Sequence, residues 1–364
     1  MSAGHSDWTP ARETARQAIA RAEALTQAEQ WPDALVAYGE ALELAGDGED
    51  SLPVRADARR GRAIVLVGMA DWSAAEEDAG ESRRLAAASG DAGRLGRAVN
   101  ILAAVAYERG DWSAARHHYA AARTHALAAG DAGLAAQIEN NEGTLWAARG
   151  ERWRAEACFR RALEQFEALE NHPCGARALN NLGMVLVAQG RMPEAAVAYD
   201  RALGECKRRG DSLLAVKVMI NRARLALLRD NPLQAHATAM TAWTFARRLG
   251  DGPVAAGSMC LLGEVARALN DRVGATRCLK RALRHSAAGK APLVEAETWV
   301  QIGCLYRDQE QPERAADAWR HARLLYLSLG ATREAERMGD RIDALREAMI
   351  VEPSVLQPTG THDV

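Results

Sequence analysis

Asparagine recurs at an even interval in the middle of the sequence, at Asn141, Asn181 and Asn221. Asparagine is a mediocre helix former because its side chain competes for backbone hydrogen bonds. Its amide has a donor and an acceptor, so it can pair with both polar groups of an extended peptide backbone. A ladder of such amides predicts a surface that binds main chain without reading side chains.

A second asparagine series precedes these positions by one residue and adds Asn100 to Asn140 and Asn180, at the same interval. Successive helix positions point about 100° apart, so both series cannot face a ligand equally. We therefore expect the second series to contribute less to binding than the first.

Three basic residues lie beside the ladder. Arg177 and Lys217 each precede a ladder asparagine by four residues, and Arg224 follows Asn221 by three. Such spacings lie on one face of a helix. Arg177, Lys217 and Arg224 therefore predict a local positive strip, which suits an acidic segment or a C-terminal carboxylate.

Motifs for catalysis do not accompany these residues. The sequence contains no GxxxxGKS/T, GxGxxG, HExxH or GxSxG pattern. His117, His118 and His125 share one predicted helix, but no carboxylate or cysteine stands at ligand spacing beside them. The sequence predicts no enzyme activity, no catalytic residues, no cofactor and no metal site.

Composition limits the classes of partner. The chain has 364 residues, 26% of them charged, and a net charge of -2, so no overall field favours nucleic acid or a membrane. No apolar run reaches the length of a membrane span, and the N-terminus lacks a secretory signal pattern. We expect a cytoplasmic protein with reduced cysteines that binds neither nucleic acid nor membrane.

The asparagines belong to a longer repeat that must position them. An alanine slot recurs with a first step of 41 and then steps of 40, at Ala34, Ala75, Ala115, Ala155, Ala195, Ala235, Ala275 and Ala315. The positions equivalent to Gly183 in the other copies hold Gly or Ala, at the same intervals. The positions equivalent to Tyr199 hold an aromatic residue, Leu or Ala. A fixed period of about 40 is the signature of a repeat array, in which small residues allow helices to pack closely. Gly followed by Asp marks many of the turns between helices.

The skeleton Gly183, Ala195, Tyr199 and Ala202 resembles the tetratricopeptide repeat family. The resemblance covers about residues 9 to 330 in eight copies, although the proline that usually closes each unit is mostly missing. The LNNLG run and the longer period look most like the repeats of kinesin light chain and related peptide-binding arrays. The resemblance implies an all-α solenoid, a right-handed superhelix of about eight helix hairpins, whose concave face is lined by the first helix of each pair.

On that face the resemblance places a peptide groove centred on repeats four to six, with Asn141, Asn181 and Asn221 as its ladder. A structural alternative is that these amides bond to carbonyls of the adjacent hairpin and only fix the stacking of repeats. In the same way, the basic residues could pair with nearby Glu or Asp. Replacement of the three asparagines by alanine separates the alternatives, since a purely structural role predicts lower stability with unchanged partner affinity.

The predicted domain organisation is a solenoid over residues 1–348, comprising eight repeats and a C-terminal capping helix, followed by a disordered tail over 349–364. The predicted function is a non-catalytic scaffold that binds a partner protein or peptide. One alternative is a ligand- or peptide-responsive sensor that acts through a partner protein. Another is a homo-oligomer in which the C-terminal tail enters the groove of a neighbouring copy.

Overall fold

The computed structural model describes residues 8–28, 30–250, 252–289, 291–329 and 331–351. Within these ranges the chain forms 17 α-helices, one short 3-10 helix over Glu49–Ser51, and no strand. The helices are α1 Trp8–Gln27, α2 Trp31–Ala45, α3 Leu52–Gly68, α4 Trp72–Ala88, α5 Ala92–Glu108, α6 Trp112–Ala128, α7 Ala132–Ala148, α8 Arg152–Ala168, α9 His172–Ala188, α10 Met192–Arg209, α11 Ser212–Leu228, α12 Pro232–Leu249, α13 Gly252–Ala268, α14 Arg272–Ala288, α15 Pro292–Asp308, α16 Pro312–Ser328 and α17 Thr332–Val351. The predicted all-α repeat fold is confirmed.

Short turns of one recurring design separate most helices. One turn residue has a positive φ, as at Gly110 and Gly150, which suits glycine because it has no side chain to clash. The residue that follows it caps the next helix in many of these turns. The Asp131 carboxylate, for example, accepts a hydrogen bond from the backbone N–H of Leu134 at 2.9 Å. The predicted Gly-stop and Asp-start pattern is therefore present at these turns.

Within a hairpin, the small residue of the first helix faces the large residue of the second. A Cβ atom on Gly183 would lie 2.5 Å from Cε1 of Tyr199, and one on Gly143 would lie 2.7 Å from Phe159. Tyr199 and Phe159 are both 2% exposed. The missing side chain thus makes room for an aromatic ring in the hairpin core.

The chain divides into two compact units, Met1–Val218 and Met219–Val364, with the boundary inside α11. In the first unit the pairs α1/α2, α3/α4, α5/α6, α7/α8 and α9/α10 form hairpins, and each packs on the next along the chain. In the second unit α13/α14 and α15/α16 do the same.

The helix α17 covers the end of the last hairpin in the second unit. Its residues Ala335, Met338 and Ile342 are buried against Trp319 and Tyr326 of α16. It occupies the place predicted for the capping helix and runs to Val351, three residues beyond the predicted end of the solenoid. The predicted disordered tail otherwise falls on residues 352–364, outside the described residues.

Candidate functional site

Three successive first helices in the first unit carry the asparagines of both series at their midpoints. Asn100 lies on α5, Asn140 and Asn141 on α7, and Asn180 and Asn181 on α9. Each of these helices has 17 residues and begins after a capping side chain, so the repeat places every asparagine at the same height. The regular caps therefore fix the register of the series.

The structure joins the two series by hydrogen bonds between successive repeats. The Asn141 amide donates to Oδ1 of Asn100, with 3.2 Å between nitrogen and oxygen. The Asn181 amide donates to Oδ1 of Asn140 over 3.3 Å. Asn100 is 8% exposed, whereas Asn140, Asn141 and Asn181 are half-buried. The asparagines thus link α5 to α7 and α7 to α9.

These bonds use only part of each donor's capacity. Oδ1 of Asn141 and Oδ1 of Asn181 accept no hydrogen bond from the other described residues. Each of these amides also keeps a second N–H beyond the bond described above. Asn141 and Asn181 can therefore stabilise the stacking of repeats and still offer one donor and one acceptor to a ligand.

The sequence pattern indicates two series that cannot face one ligand equally, and it does not by itself reveal that they pair with each other. The signal was present in the numbering, because the two bonded pairs are each 41 residues apart, one repeat plus one position. An asparagine of the first series therefore bonds to the asparagine of the second series that lies one repeat earlier in the chain. The structural alternative places the bonding partner on the adjacent hairpin. The acceptors there are the oxygens of side-chain amides.

Asn180 and Asn221 complete the series. Asn180 is half-buried on α9, and its amide nitrogen lies 3.9 Å from Sδ of Met184. Asn221 is half-buried on α11 within the second unit. Their part in binding stays a prediction.

The basic residues differ from one another in exposure and pairing. Arg177 is exposed on α9 and makes no ion pair with the described residues, and Lys217 is exposed on α11. Arg224 instead lies 3.5 Å from Glu264 of α13 and 3.5 Å from Glu297 of α15. Arg224 thus pairs with carboxylates of its own unit, as the structural alternative for the basic residues expects, and its part in binding stays a prediction.

Buried ion pairs hold α7 in place against its neighbours. Glu139 and Glu142 are 8% and 9% exposed, and they pair with Arg161 of α8 and Arg123 of α6 respectively. Burial raises the pKa of Glu142, although Arg123 favours its ionised form. The carboxylates therefore fix the helix that carries Asn140 and Asn141, and they are not available to a ligand.

The described residues contain neither a metal cluster nor a membrane-spanning helix. In that part of the chain no group of three His, Cys, Asp or Glu side chains is placed to hold a metal ion. None of the described helices is both long enough and apolar enough to cross a membrane.

Comparison with known proteins agrees with the fold. Residues 136–204 match the family model described as tetratricopeptide repeat. This segment contains α7, α8 and α9 almost completely and reaches into α10, so it includes four of the asparagines. No curated protein sequence is significantly similar to the chain.

Solved structures extend the likeness beyond that segment. A Rap protein complexed with competence and sporulation factor has a TM-score of 0.61 and 12% identity, over 93% of this chain and 99% of that chain. A tetratricopeptide repeat protein from Parabacteroides merdae has a TM-score of 0.52 and 18% identity, over 80% and 99%. BtubC (BKLC) from P. vanneervenii has a TM-score of 0.51 and 23% identity, over 61% and 91%.

These likenesses concern the fold, and the finer resemblance to kinesin light chain repeats stays a prediction. The repeat slots, the helix pairs and the matched segment all point the same way. Residues 136–204 are therefore tetratricopeptide repeats, and the described chain has the helical-repeat fold of proteins built from them.

Proposed function

We propose that the protein is a non-catalytic interaction scaffold, and that the asparagine-bearing face of its first helices binds an extended peptide segment of a partner protein. The observation that carries the proposal is the free acceptor and donor on Asn141 and Asn181, one repeat apart. An extended backbone offers the complementary groups at every second residue on one side. The first-helix face would thus bind main chain with little regard to sequence.

The spacing of the repeat supports this reading. Neighbouring packed helices lie about 8–10 Å apart, which corresponds to two to three residues of an extended chain at ~3.3 Å each, and the two-residue step keeps the same side of the backbone towards the ladder. A segment of about six residues would therefore span the two intervals from α5 to α9. Arg177 is exposed one turn before Asn181 and could bind a carboxylate of that segment or its C-terminus.

Selection from a library of random extended peptides tests the proposal, with the affinity of enriched peptides then measured by titration calorimetry. Asn141→Ala with Asn181→Ala should lower that affinity at least about tenfold, because each loses a hydrogen-bonding pair to the peptide backbone. Asn100→Ala is the matched control. It removes the acceptor for Asn141 but leaves both ligand-facing amides in place, so affinity should change little.

The structural alternative predicts a different pattern. If the asparagines only fix repeat stacking, all three substitutions should lower the free energy of unfolding and none should change peptide affinity. Failure of the library to yield any peptide that competes at this face would also contradict the proposal. Urea unfolding of each variant separates lost binding from lost folding.

The linkage between repeats favours a second candidate function, a sensor that responds to a peptide or small ligand. The bonds Asn141–Asn100 and Asn181–Asn140 join successive repeats at the same face that would hold the ligand. A ligand that competes for these amides would change how the repeats stack, and a partner protein could respond to that change. A solved structure with a similar fold is a Rap protein complexed with competence and sporulation factor. A ligand-dependent change of radius in solution scattering would support the sensor, and an unchanged radius would favour the plain scaffold.

A further inference from the structure

One helix of the second unit has a charge balance unlike that of the whole chain. The helix α14 contains Arg272, Arg277, Lys280, Arg281 and Arg284 and no Asp or Glu, whereas the whole chain has a net charge of -2. Charged faces of helices usually contain both signs, because alternating charges stabilise one another at the surface. A helix with five basic residues and no acid needs its counter-charges from elsewhere.

Three of these residues form a continuous line on one side of α14, which we call the basic stripe: Arg277, Lys280 and Arg284. Together with Val273 they have the spacing i, i+4, i+7, i+11, which places all four within about 60° of arc along about 16 Å of helix. All three are exposed, and none makes an ion pair with another described residue. Val273 is 68% exposed at the start of the line.

Two carboxylates, one just before α14 and one at the end of α15, are engaged. Asp271 caps α14 by accepting a hydrogen bond from the Gly274 N–H at 2.8 Å. Asp308, at the end of α15, pairs with Arg267 and Arg307. Arg281 differs from the basic stripe because it is half-buried, with its guanidinium 5.2 Å from the ring centre of Trp243. The charges of the basic stripe are therefore left for an external partner.

A cleft adjoins the N-terminal half of the stripe. It has a volume of about 470 Å³ and is lined by Arg272, Val273, Thr276, Arg277, Lys280 and Gln309. The side chains provide cations, one apolar contact and neutral hydrogen-bonding groups. A ligand that fits this surface carries carboxylates along one side and an apolar side chain at one end.

We propose that the basic stripe of α14 is a docking surface for an acidic amphipathic helix of a partner protein. Carboxylates on one face of a helix repeat every turn, about 5.4 Å, so three of them meet Arg277, Lys280 and Arg284 residue by residue and an apolar side chain on the next turn meets Val273. Carboxylates on alternate residues of an extended chain are about 6.8 Å apart, so they drift about 4 Å out of register over three turns. The spacing therefore selects a helical partner over an extended one.

Two other occupants fit less well. The acidic helix α4 of a second copy has three of its four carboxylates engaged, because Glu76, Asp78 and Glu81 pair with Arg109, Arg59 and Arg84. Single-stranded nucleic acid binds through aromatic side chains that stack on bases, and the cleft has no aromatic residue in its lining. The stripe lies on a second helix of the repeat, so this inference does not depend on the proposed peptide site on the first helices.

The test is fluorescence anisotropy of a synthetic helical peptide titrated with the full chain. The peptide carries Glu at i, i+4, i+7 and i+11 and a leucine near each end. Because this spacing reads the same in both directions, three of the four glutamates meet the stripe in either orientation, and one peptide tests both. A peptide of equal composition with Glu dispersed around the helix is the first control. The variant Arg277→Glu, Lys280→Glu, Arg284→Glu reverses the stripe. The variant Arg83→Glu, Arg116→Glu, Arg152→Glu reverses three exposed arginines in the first unit that also make no ion pair with the described residues.

We expect the patterned peptide to bind the wild type. It should bind the stripe variant at least about tenfold more weakly than the wild type, and the control variant as tightly as the wild type. The dispersed peptide should bind at least about tenfold more weakly than the patterned one. No binding below about 1 mM, equal loss in both variants, or equal binding of both peptides would overturn the proposal. Tighter binding of a DNA or RNA oligonucleotide that the stripe variant abolishes would overturn it too, by making the stripe a nucleic-acid surface. Circular dichroism confirms that each variant is folded.

Discussion

Gly183 lacks a side chain at the position where the Tyr199 ring lies, and this residue pair shows how single residues determine the repeat. The same relation holds between Gly143 and Phe159 and between Gly303 and Trp319. The close approach of glycine to a ring was predictable from the slots, because a small residue on one helix kept register with a large one on the next. The amide pairing of Asn141 with Asn100 was not predicted, since it depends on how far one helix is rotated against its neighbour.

Replacement of glycine by alanine should therefore have opposite effects on the free energy of unfolding at two positions, one on each of two neighbouring helices. Gly183→Ala places a Cβ 2.5 Å from Tyr199 and should lower the free energy of unfolding by about 1–3 kcal/mol. Gly204 lies in the interior of α10, where an added Cβ would meet no atom within 4 Å, so Gly204→Ala should raise it by roughly 0.5–1 kcal/mol. Urea unfolding followed by circular dichroism measures both. Equal effects would contradict the packing argument.

At the scale of the helix, one turn design serves both the hairpins and the connections between them. A positive-φ residue recurs at these turns, a capping side chain often follows it, and Gly-Asp pairs predicted many of them. Some turns were less evident because another residue takes the glycine position, as Ala70 and Glu170 do with φ of 60° and 53°. The backbone there keeps its conformation because the packed helices on both sides impose it.

Turn substitutions should follow the same rule. Ala70→Gly removes the clash of a Cβ in the left-handed region and should raise the free energy of unfolding by roughly 0.5–1 kcal/mol. Gly150→Ala, at a φ of 80°, should lower it by about 1–2 kcal/mol. Thermal and urea unfolding of the two single variants against wild type provide the measurement. A destabilised Ala70→Gly would show that its side chain contributes packing that outweighs the backbone strain.

At the scale of the whole molecule, ion pairs across repeats were the least predictable feature. The Arg224 guanidinium reaches carboxylates on α13 and α15, and the Glu156 carboxylate is shared by three neighbours from α8 and α9–α10. Which helix supplies each partner depends on the stacking of hairpins, and a one-dimensional repeat pattern does not specify it. The fold was therefore largely predictable, whereas the charges left free on its surface were not.

These ion pairs set the dependence of stability on pH. Burial disfavours ionisation of Glu156, but hydrogen bonds from Gln189, Arg160 and Arg191 outweigh it and lower the pKa of that carboxyl. The backbone N–H of Arg94 likewise lowers the pKa of Asp91. A carboxyl whose pKa is lower in the folded state stabilises the fold above its ordinary pKa, and this stabilisation is lost as the pH falls through the lowered value. Glu142 acts in the opposite sense, because its raised pKa gives a contribution that is lost as the pH rises.

We therefore expect the free energy of unfolding to fall as the pH decreases below about 4.5. Glu156→Gln should lower it by about 1–3 kcal/mol at neutral pH, because it breaks buried charge-assisted hydrogen bonds. The difference from wild type should shrink in acid, where the wild-type carboxyl is protonated as well. Urea titrations at neutral and acidic pH measure both effects, and a difference that stays constant with pH would contradict the assignment. The control is Glu142→Gln, which removes a carboxyl whose pKa is shifted in the opposite direction.

The even spacing of the turns also bears on how such a chain can change in length. Excision of residues 131–170 would join the positive-φ Gly130 directly to Asn171, a residue that already caps α9. Asn181 would then follow Asn100 by 41 positions, the separation at which the two amides bond in the intact chain. Loss or duplication of one whole repeat by recombination would thus preserve the turn, the cap and the amide link together. Within the first unit, the length of the asparagine-bearing face can vary in steps of one repeat while the chemistry of each step stays the same.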